Sequence, residues 1–281
     1  MQFPSCSRFE SETVKGGLVY TTLNEVEMKL MKASCSLAAE ALLLVGSILH
    51  EGMTTLELDC VINEFIVNHG AYPSPLNYHG FPRSICTSRN NVMCHGIPHS
   101  KERLAAGDII NVDISTYFPV QNGFHGDTSA MFYIGPPSAE SRKLVEVTRE
   151  CLSKGMDAVR PGAWTGDIGE AIQRHAEDNG FAVAEDFVGH GVGRVFHGEP
   201  QIRHSGKKGS GVLITEGMIF TVEPIINQGT GEYKILKEDD WTVLTKDGKL
   251  SAQFEHTILV TESGYDILTA RPGVLCHSED L

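Results

Sequence analysis

Four carboxylates and one histidine stand in a mirrored pattern across this chain. In the first half, Gly107-Asp108-Ile109-Ile110-Asn111-Val112-Asp113 is followed by a second acid at Asp127. In the second half, Gly217-Met218-Ile219-Phe220-Thr221-Val222-Glu223 is followed by Glu255. Each acid lies in an apolar run that reads as a buried strand. Buried carboxylates are costly unless paired or bound to metal. Together with His190, set between glycines in Gly189-His190-Gly191, they offer enough donors for two divalent cations. An oxygen-rich set with one imidazole suits manganese, iron, cobalt or zinc. Two such cations, held about 3.5–4 Å apart by shared carboxylates, lower the pKa of a bridging water. The chemistry implied is hydrolysis at a dinuclear centre.

The elements that must position these residues also come twice. Thr22-x-x-Glu25 reads as a capping box. It predicts a helix with Val26, Leu30, Ala33, Leu37, Ala41, Leu44 and Ile48 on its apolar face, ending by Gly52. Thr54-x-x-Glu57 starts a second helix, with Leu58, Ile62 and Phe65 inward and Gly70 as its stop. A third helix runs from about Ser138 with Leu144, Val147, Cys151 and Leu152, and stops before Pro161-Gly162. A fourth begins near Thr165, carries Ile168 and Ile172, and stops at Gly180. The pairs Gly52/Gly162, Thr55/Thr165, Leu58/Ile168, Gly70/Gly180, Gly107/Gly217 and Asp113/Glu223 are each 110 residues apart. Cys94-His95-Gly96-Ile97-Pro98 pairs with Phe196-His197-Gly198-Glu199-Pro200 at an offset of 102.

The expected fold is therefore α+β, with two pseudo-twofold-related halves over about 24–137 and 138–270. In each half, helices cover one face of a curved, mainly antiparallel sheet. Residues 1–23 read as an N-terminal extension and 271–281 as a C-terminal tail. Strand alternation puts Asn111 and Asp113 on one face, Val112 and Ile114 on the other. Asp127 is expected to open a strand over Thr128 to Ile134, and Pro224 to end the Glu223 strand. His256 should point away from Glu255. His95, His190 and His197 stand out by their mirrored context. His50, His69, His99, His125, His175, His204 and His277 read as structural or surface residues.

Composition narrows the function classes. With 281 residues, 41% hydrophobic and 21% charged, the chain can bury a sizeable core and reads as soluble and globular. A net charge of -13 argues against a general nucleic-acid binder. The apolar run Ala41 to Leu49 is too short to span a membrane. The first residues, Met1 to Cys6, lack the basic and apolar regions of a secretion signal. Seven cysteines without a C-x-x-C pair form no disulfide framework, and Cys86 and Cys94 read as buried structural thiols. A reducing compartment, the cytoplasm, is expected.

Seven strings resemble the type I methionine aminopeptidases, metallopeptidases of family M24. These are Asn77-Tyr78-His79-Gly80-Phe81-Pro82, Cys94-His95-Gly96-Ile97-Pro98, Asn111-Val112-Asp113, Phe124-His125-Gly126-Asp127-Thr128, Gly189-His190-Gly191-Val192-Gly193, Phe220-Thr221-Val222-Glu223-Pro224 and Gln253-Phe254-Glu255-His256-Thr257. The resemblance runs from roughly Asn24 to Ala270 and implies one catalytic domain of the pita-bread (creatinase/aminopeptidase) fold. It implies two divalent metal ions per chain: Asp113 on one, His190 and Glu223 on the other, Asp127 and Glu255 bridging. Glu223 would also relay the proton as general base and acid, His95 contact the scissile amide nitrogen, and His197 donate to the carbonyl oxygen. A methionine pocket maps onto Tyr78, Phe81, Cys86, Phe196 and Trp241, with His79 nearby. A monovalent cation would involve Asn90, Val92 and Ser251. The implied substrate is the N-terminal methionine of nascent polypeptides, with a small second residue preferred and the ribosome a candidate partner. The implied setting is a cytoplasmic monomer of bacterial or organellar type.

Glu223 and Glu255 lie 32 residues apart, too few for the helical insertion of type II enzymes. The cysteine-rich N-terminal module of eukaryotic cytosolic type I enzymes is missing. Prolidases and proline-specific aminopeptidases share the fold but usually carry a further N-terminal domain, and none fits before Asn24. A non-catalytic relative would have lost a ligand residue, and all five are present. Two departures stand out. Thr116 to Asn122, including Pro119, lengthens the connection from Asp113 to Asp127, which should alter the rim and spare the ligand strands. Gly198 stands where many relatives have Glu, which bears on substrate preference.

Overall fold

The computed structural model describes residues 22–271. Most of the N-terminal extension, the C-terminal tail beyond Arg271, and His277 lie outside the described residues. Helix α1 spans Glu25–Ile48, α2 Thr55–Asn68, α3 Ala139–Asp157 and α4 Thr165–Asp178. The capping box of α1 is set two residues later than expected. Asn24 Oδ1 accepts the Val26 and Glu27 N–H groups, both at 3.0 Å, and Glu27 returns to the Asn24 N–H. Asparagine serves this position as well as threonine does. Thr54 and Glu57 form the expected box on α2.

The buried face of α1 also differs from the one expected. Met31, Cys35, Ala38, Leu42 and Val45 are buried along with Leu37 and Ala41, whereas Val26 is exposed. This helix is apolar around most of its girth, so periodicity alone leaves its phase ambiguous. It is also long and apolar enough to cross a membrane by length and composition, which the expectation of no such span overlooked. Half of its most apolar stretch is buried, and it packs on the strands Ile109–Phe118 and Phe124–Tyr133 as a core helix does.

One antiparallel sheet holds nine strands. Its order is Tyr72–Pro73, Ile109–Phe118, Phe124–Tyr133, Glu255–Val260, Ile219–Val222, Val188–Gly191, Gly198–Arg203. Cys86–Arg89 adds to the Asp113 strand, and Tyr265–Ile267 to the Glu255 strand. The helices cover one face, where Ile110, Val112, Ile114, Phe220, Val222 and Ile258 join a single apolar core. The repeat is visible in the backbone. Helices α2 and α4 each have 14 residues and start 110 apart. The isolated bridges Thr54–Arg103 and Trp164–Leu213 match at the same offset. Gly107 and Gly217 both turn through positive φ, 92° and 86°, as the tight turns before their strands require.

The Asp127 strand starts at Phe124, so Asp127 lies inside it and does not open it. Its partner continues to Phe118, and pairing runs out to Phe118–Phe124. The lengthened connection is therefore mostly extra strand, closed by the short turn Pro119 to Gly123. Alternation had marked the apolar stretch but not how far backbone pairing extends past it.

Gly126 is where α1 meets the sheet beside Asp127. A Cβ there would lie 2.5 Å from the Cys35 nitrogen and the Ser34 carbonyl carbon. Backbone atoms cannot swing aside as a side chain can. We expect Gly126→Ala to cost about 3 kcal/mol, or roughly 5–10 °C in Tm. Calorimetry would show it; an unchanged Tm would contradict this seating of α1.

Candidate metal centre and cleft

Strand register brings the metal-ligand candidates to one face. Ser115 pairs with Asp127, and Asp113, two residues before Ser115, pairs with Ser129. Ser129 also pairs with Glu255, and Thr257, two residues on, pairs with Thr221. Side chains two apart on a strand share a face, as do directly paired residues. Asp113, Asp127, Glu255 and Thr221 therefore all project opposite the helices. Glu223 follows Thr221 by two, just where the strand breaks at Pro224. His190 is next to Gly191, the partner of Phe220, and its N–H donates to Thr221 Oγ1 at 2.9 Å.

The flanking glycines of His190 are required by close backbone approach. A Cβ on Gly189 would strike the Thr221 carbonyl oxygen, and one on Gly191 the Glu199 carbonyl oxygen. His190 Nδ1 lies 3.2 Å from the Gly191 oxygen. A proton on Nδ1 leaves the Nε2 lone pair facing Asp127 Oδ2 at 3.6 Å and Glu223 Oε1 at 3.5 Å. Those gaps are long for hydrogen bonds. They suit donors that each sit about 2.1 Å from one shared cation. Donor atoms of Asp127, His190 and Glu255 lie within 4.8 Å of one another. Asp113 Oδ1 is buried with no hydrogen-bond partner. The residues present thus fit divalent metal.

Hydrogen bonds orient the acids. Ser115 Oγ donates to Asp127 Oδ1 at 2.7 Å, and Thr221 Oγ1 to Glu223 Oε1 at 2.7 Å. Gln253 Nε2 donates to Glu223 Oε2 at 3.3 Å. Burial pushes Asp113, Glu223 and Glu255 well above the usual carboxylate range, reinforced by the charge on Asp127. Burial raises Asp127 to about 7, despite the Ser115 hydrogen bond. Burial drops His190 to about 4, keeping its imidazole neutral and fit to ligate.

All five candidates line one cleft of about 390 Å³. So do His95 and His197, and the expected pocket residues Tyr78, His79, Phe81, Cys86, Phe196 and Trp241. Phe81 and Trp241 meet edge to face at 5.3 Å, and Tyr78 and Phe196 at 5.0 Å. Val243 pairs with Cys94, which carries the Trp241 loop alongside His95. His197 is exposed at the rim, tilted against His190 with ring centroids 4.3 Å apart. Burial of its inner side and the neighbouring imidazoles disfavour its protonation. Asn90, Val92 and Ser251 lie away from this cleft. There the Ser251 N–H donates to the Asn90 carbonyl at 2.9 Å, and Ser251 Oγ is buried without a partner.

His256 turns from Glu255 as expected and bonds Thr269 Oγ1 at 2.9 Å. His204 is more than a bland histidine: its Nε2 accepts the Glu223 N–H at 3.1 Å. His125 likewise stacks on Phe196, 5.0 Å between centroids and 11° between planes. Neither contact leaves a mark in the sequence. Ser115 could have been found, since it lies two residues from Asp113 on the same strand face; Gln253, two residues before Glu255, ends the separate strand Ser251–Gln253. Phe187 and Ile225 also line the cleft, and Cys94 joins Cys86 there, so these thiols are cleft residues as well as buried ones.

Such a cleft, set on the open face of a helix-backed antiparallel sheet, is that of a metal-dependent hydrolase. Residues 29–262 match the model of metallopeptidase family M24. The chain is 53% identical over 253 residues to methionine aminopeptidase A of Synechocystis, covering 90% of this chain and 98% of that one. It is 49% identical to human mitochondrial methionine aminopeptidase 1D, covering 89% of this chain and 72% of that one. The crystal structure of methionine aminopeptidase from Rickettsia prowazekii superposes with a TM-score of 0.86 at 46% identity, covering 90% of this chain and all of that one. The prolidase of Pyrococcus horikoshii shares the fold at a TM-score of 0.69 and 19% identity, and this chain covers 63% of it. The chain belongs to metallopeptidase family M24, among its type I methionine aminopeptidases.

Proposed function

We propose that this chain removes the N-terminal methionine of nascent polypeptides and peptides, with a small second residue preferred. The observation that carries this reading is one cleft holding five candidate metal ligands at its floor and an aromatic and sulfur-lined wall beside them. Asp113, Asp127, His190, Glu223 and Glu255 would hold two divalent cations. When bound, these would acidify a water and polarise the substrate carbonyl.

The remaining work falls to the chain's own side chains. Glu223 accepts the water's proton and delivers it to the leaving amine. Thr221 and Gln253 hold its two oxygens apart for that purpose. His197 donates to the carbonyl oxygen as charge develops there, and His95 contacts the amide nitrogen. An unbranched thioether packs well between Tyr78, Phe81, Phe196 and Trp241 with Cys86 beneath. Asn90, Val92 and Ser251 would take a monovalent cation, supported by the unpartnered Ser251 hydroxyl.

The test is a comparison of Met-Ala-Ser, Leu-Ala-Ser and an Ala-Pro peptide. The branched Leu side chain fills such a pocket poorly, which is worth about 1–3 kcal/mol. Methionine release should exceed leucine release by roughly tenfold or more in kcat/KM, with no cleavage of Ala-Pro. Preferential cleavage of Ala-Pro would instead assign the chain to the proline-specific branch of the fold.

A further inference from the structure

Tyr78 lines the cleft, yet a wall for a thioether needs only its ring. Phe81 and Phe196 beside it have no hydroxyl. The Tyr78 hydroxyl lies 2.9 Å from Nδ1 of His197. Its ring is held independently of that bond. Tyr78 opens a single 3-10 turn, Tyr78–Gly80, flanked by left-handed Asn77 at φ 65° and containing left-handed His79 at φ 47°. Non-glycine residues persist in that region only where the surroundings hold them. Here the Asn77 N–H donates to the Phe81 carbonyl at 2.8 Å and the Phe81 N–H to the Tyr78 carbonyl at 2.9 Å. Phe196 meets the Tyr78 ring edge to face.

A neutral imidazole carries one N–H and one lone pair. A carbonyl oxygen only accepts, so His197 can serve it from Nε2 only in the tautomer with the proton on Nε2. Nδ1, facing Tyr78, must then accept. The phenol has one proton, and among the described residues its only hydrogen-bond partner is that nitrogen. Donation from Tyr78 to Nδ1 satisfies both groups. The reverse arrangement leaves the phenol proton without a partner among the described residues and turns a lone pair toward the substrate oxygen. Burial raises the phenol's pKa and keeps that proton in place.

We propose that Tyr78 is a positioning residue for hydrolysis: its hydroxyl donates to Nδ1 of His197 and so fixes the Nε2–H that the substrate carbonyl requires. This rests on the reading of His197 as the carbonyl donor. The role parallels that of the partners that fix the tautomer of metal-ligating histidines, whose loss costs about 10–100-fold.

The test is Tyr78→Phe, which keeps the ring and its contact with Phe196. We expect kcat for methionine release from Met-Ala-Ser to fall about 10–100-fold with KM within about twofold. In the zinc-loaded enzyme, histidine nitrogen-15 spectra should show His197 protonated on Nε2, and a tautomer mixture in Tyr78→Phe. Adding Tyr78→Phe to His197→Ala should cause no further loss. An unchanged kcat in Tyr78→Phe, or a proton on Nδ1 in the unmodified enzyme, overturns the proposal. If His197→Ala itself leaves kcat unchanged, the donor role of His197 fails and the proposal falls with it. A slow His197→Ala enzyme beside a full-rate Tyr78→Phe enzyme overturns the Tyr78 role alone.

Discussion

Glu223→Gln is expected to lower kcat by about a thousandfold or more while leaving the fold intact. Glutamine has the size and shape of glutamate and can still accept from Thr221 through its amide oxygen, while Gln253 must turn its amide to present oxygen to the new N–H. What it cannot do is take up a proton near neutrality. It also withdraws one charge from a crowded group of acids, so the metal-free protein should melt no lower than the parent. Glu223 is also a candidate ligand, so metal content must be measured alongside turnover. A variant that keeps at least one bound cation and still loses turnover assigns the proton relay to Glu223. Retained turnover would remove Glu223 from the mechanism.

The second large effect is on stability without metal. In the metal-free chain, burial lifts Asp113, Glu223 and Glu255 well above the usual carboxylate range, and Asp127 to about 7. A folded pKa above the unfolded one means the folded state holds more protons, so stability falls as pH rises toward that folded pKa. Buried histidines act in the opposite sense. Burial lowers His190 to about 4 and His125, His204 and His256 to about 3, so their contribution is lost as pH falls from 6.5 toward those values. Below about pH 6.5 the two sets oppose each other. Above it the histidines are neutral in both states and Asp127 continues to titrate through about 7, joined toward pH 8.5 by the buried thiols of Cys35, Cys86, Cys94 and Cys151, which burial also raises.

The metal-free protein should therefore lose Tm between pH 6.5 and 8.5, by about 2–3 °C from Asp127 alone. Bound divalent cations compensate the ionised carboxylates, so the metal-loaded protein should lose less over that range, and the gap between the two curves should widen as pH rises. Melting curves of both forms across these pH values decide it. Parallel curves would mean that the acids do not face one another as described.

Much of this site was legible in the sequence because strand periodicity and a repeat act together. Asp113 and Glu223 announce themselves at equal offset, each closing an apolar run after a turn glycine. The relation of Asp113 to Asp127 depends on pairing register, which the sequence leaves open until the hairpin is placed. That is why the sequence places the start of the Asp127 strand too late. The phase of α1 escapes the sequence for a related reason: an apolar helix buried on several sides has no single stripe to find. The contacts of His204 with Glu223 and of His125 with Phe196 join residues far apart in sequence and have no local pattern. Tyr78 was legible as part of a pocket motif, but its bond to His197 spans 119 residues and emerges only in three dimensions.

The most direct measurement is methionine release from Met-Ala-Ser after the protein is stripped of metal and then titrated with manganese, cobalt, iron or zinc. The account predicts no turnover in the stripped protein and recovery with at least one of these cations, complete by two bound equivalents. Methionine release that persists without metal, or a folded chain that binds two cations and cleaves nothing, would contradict it.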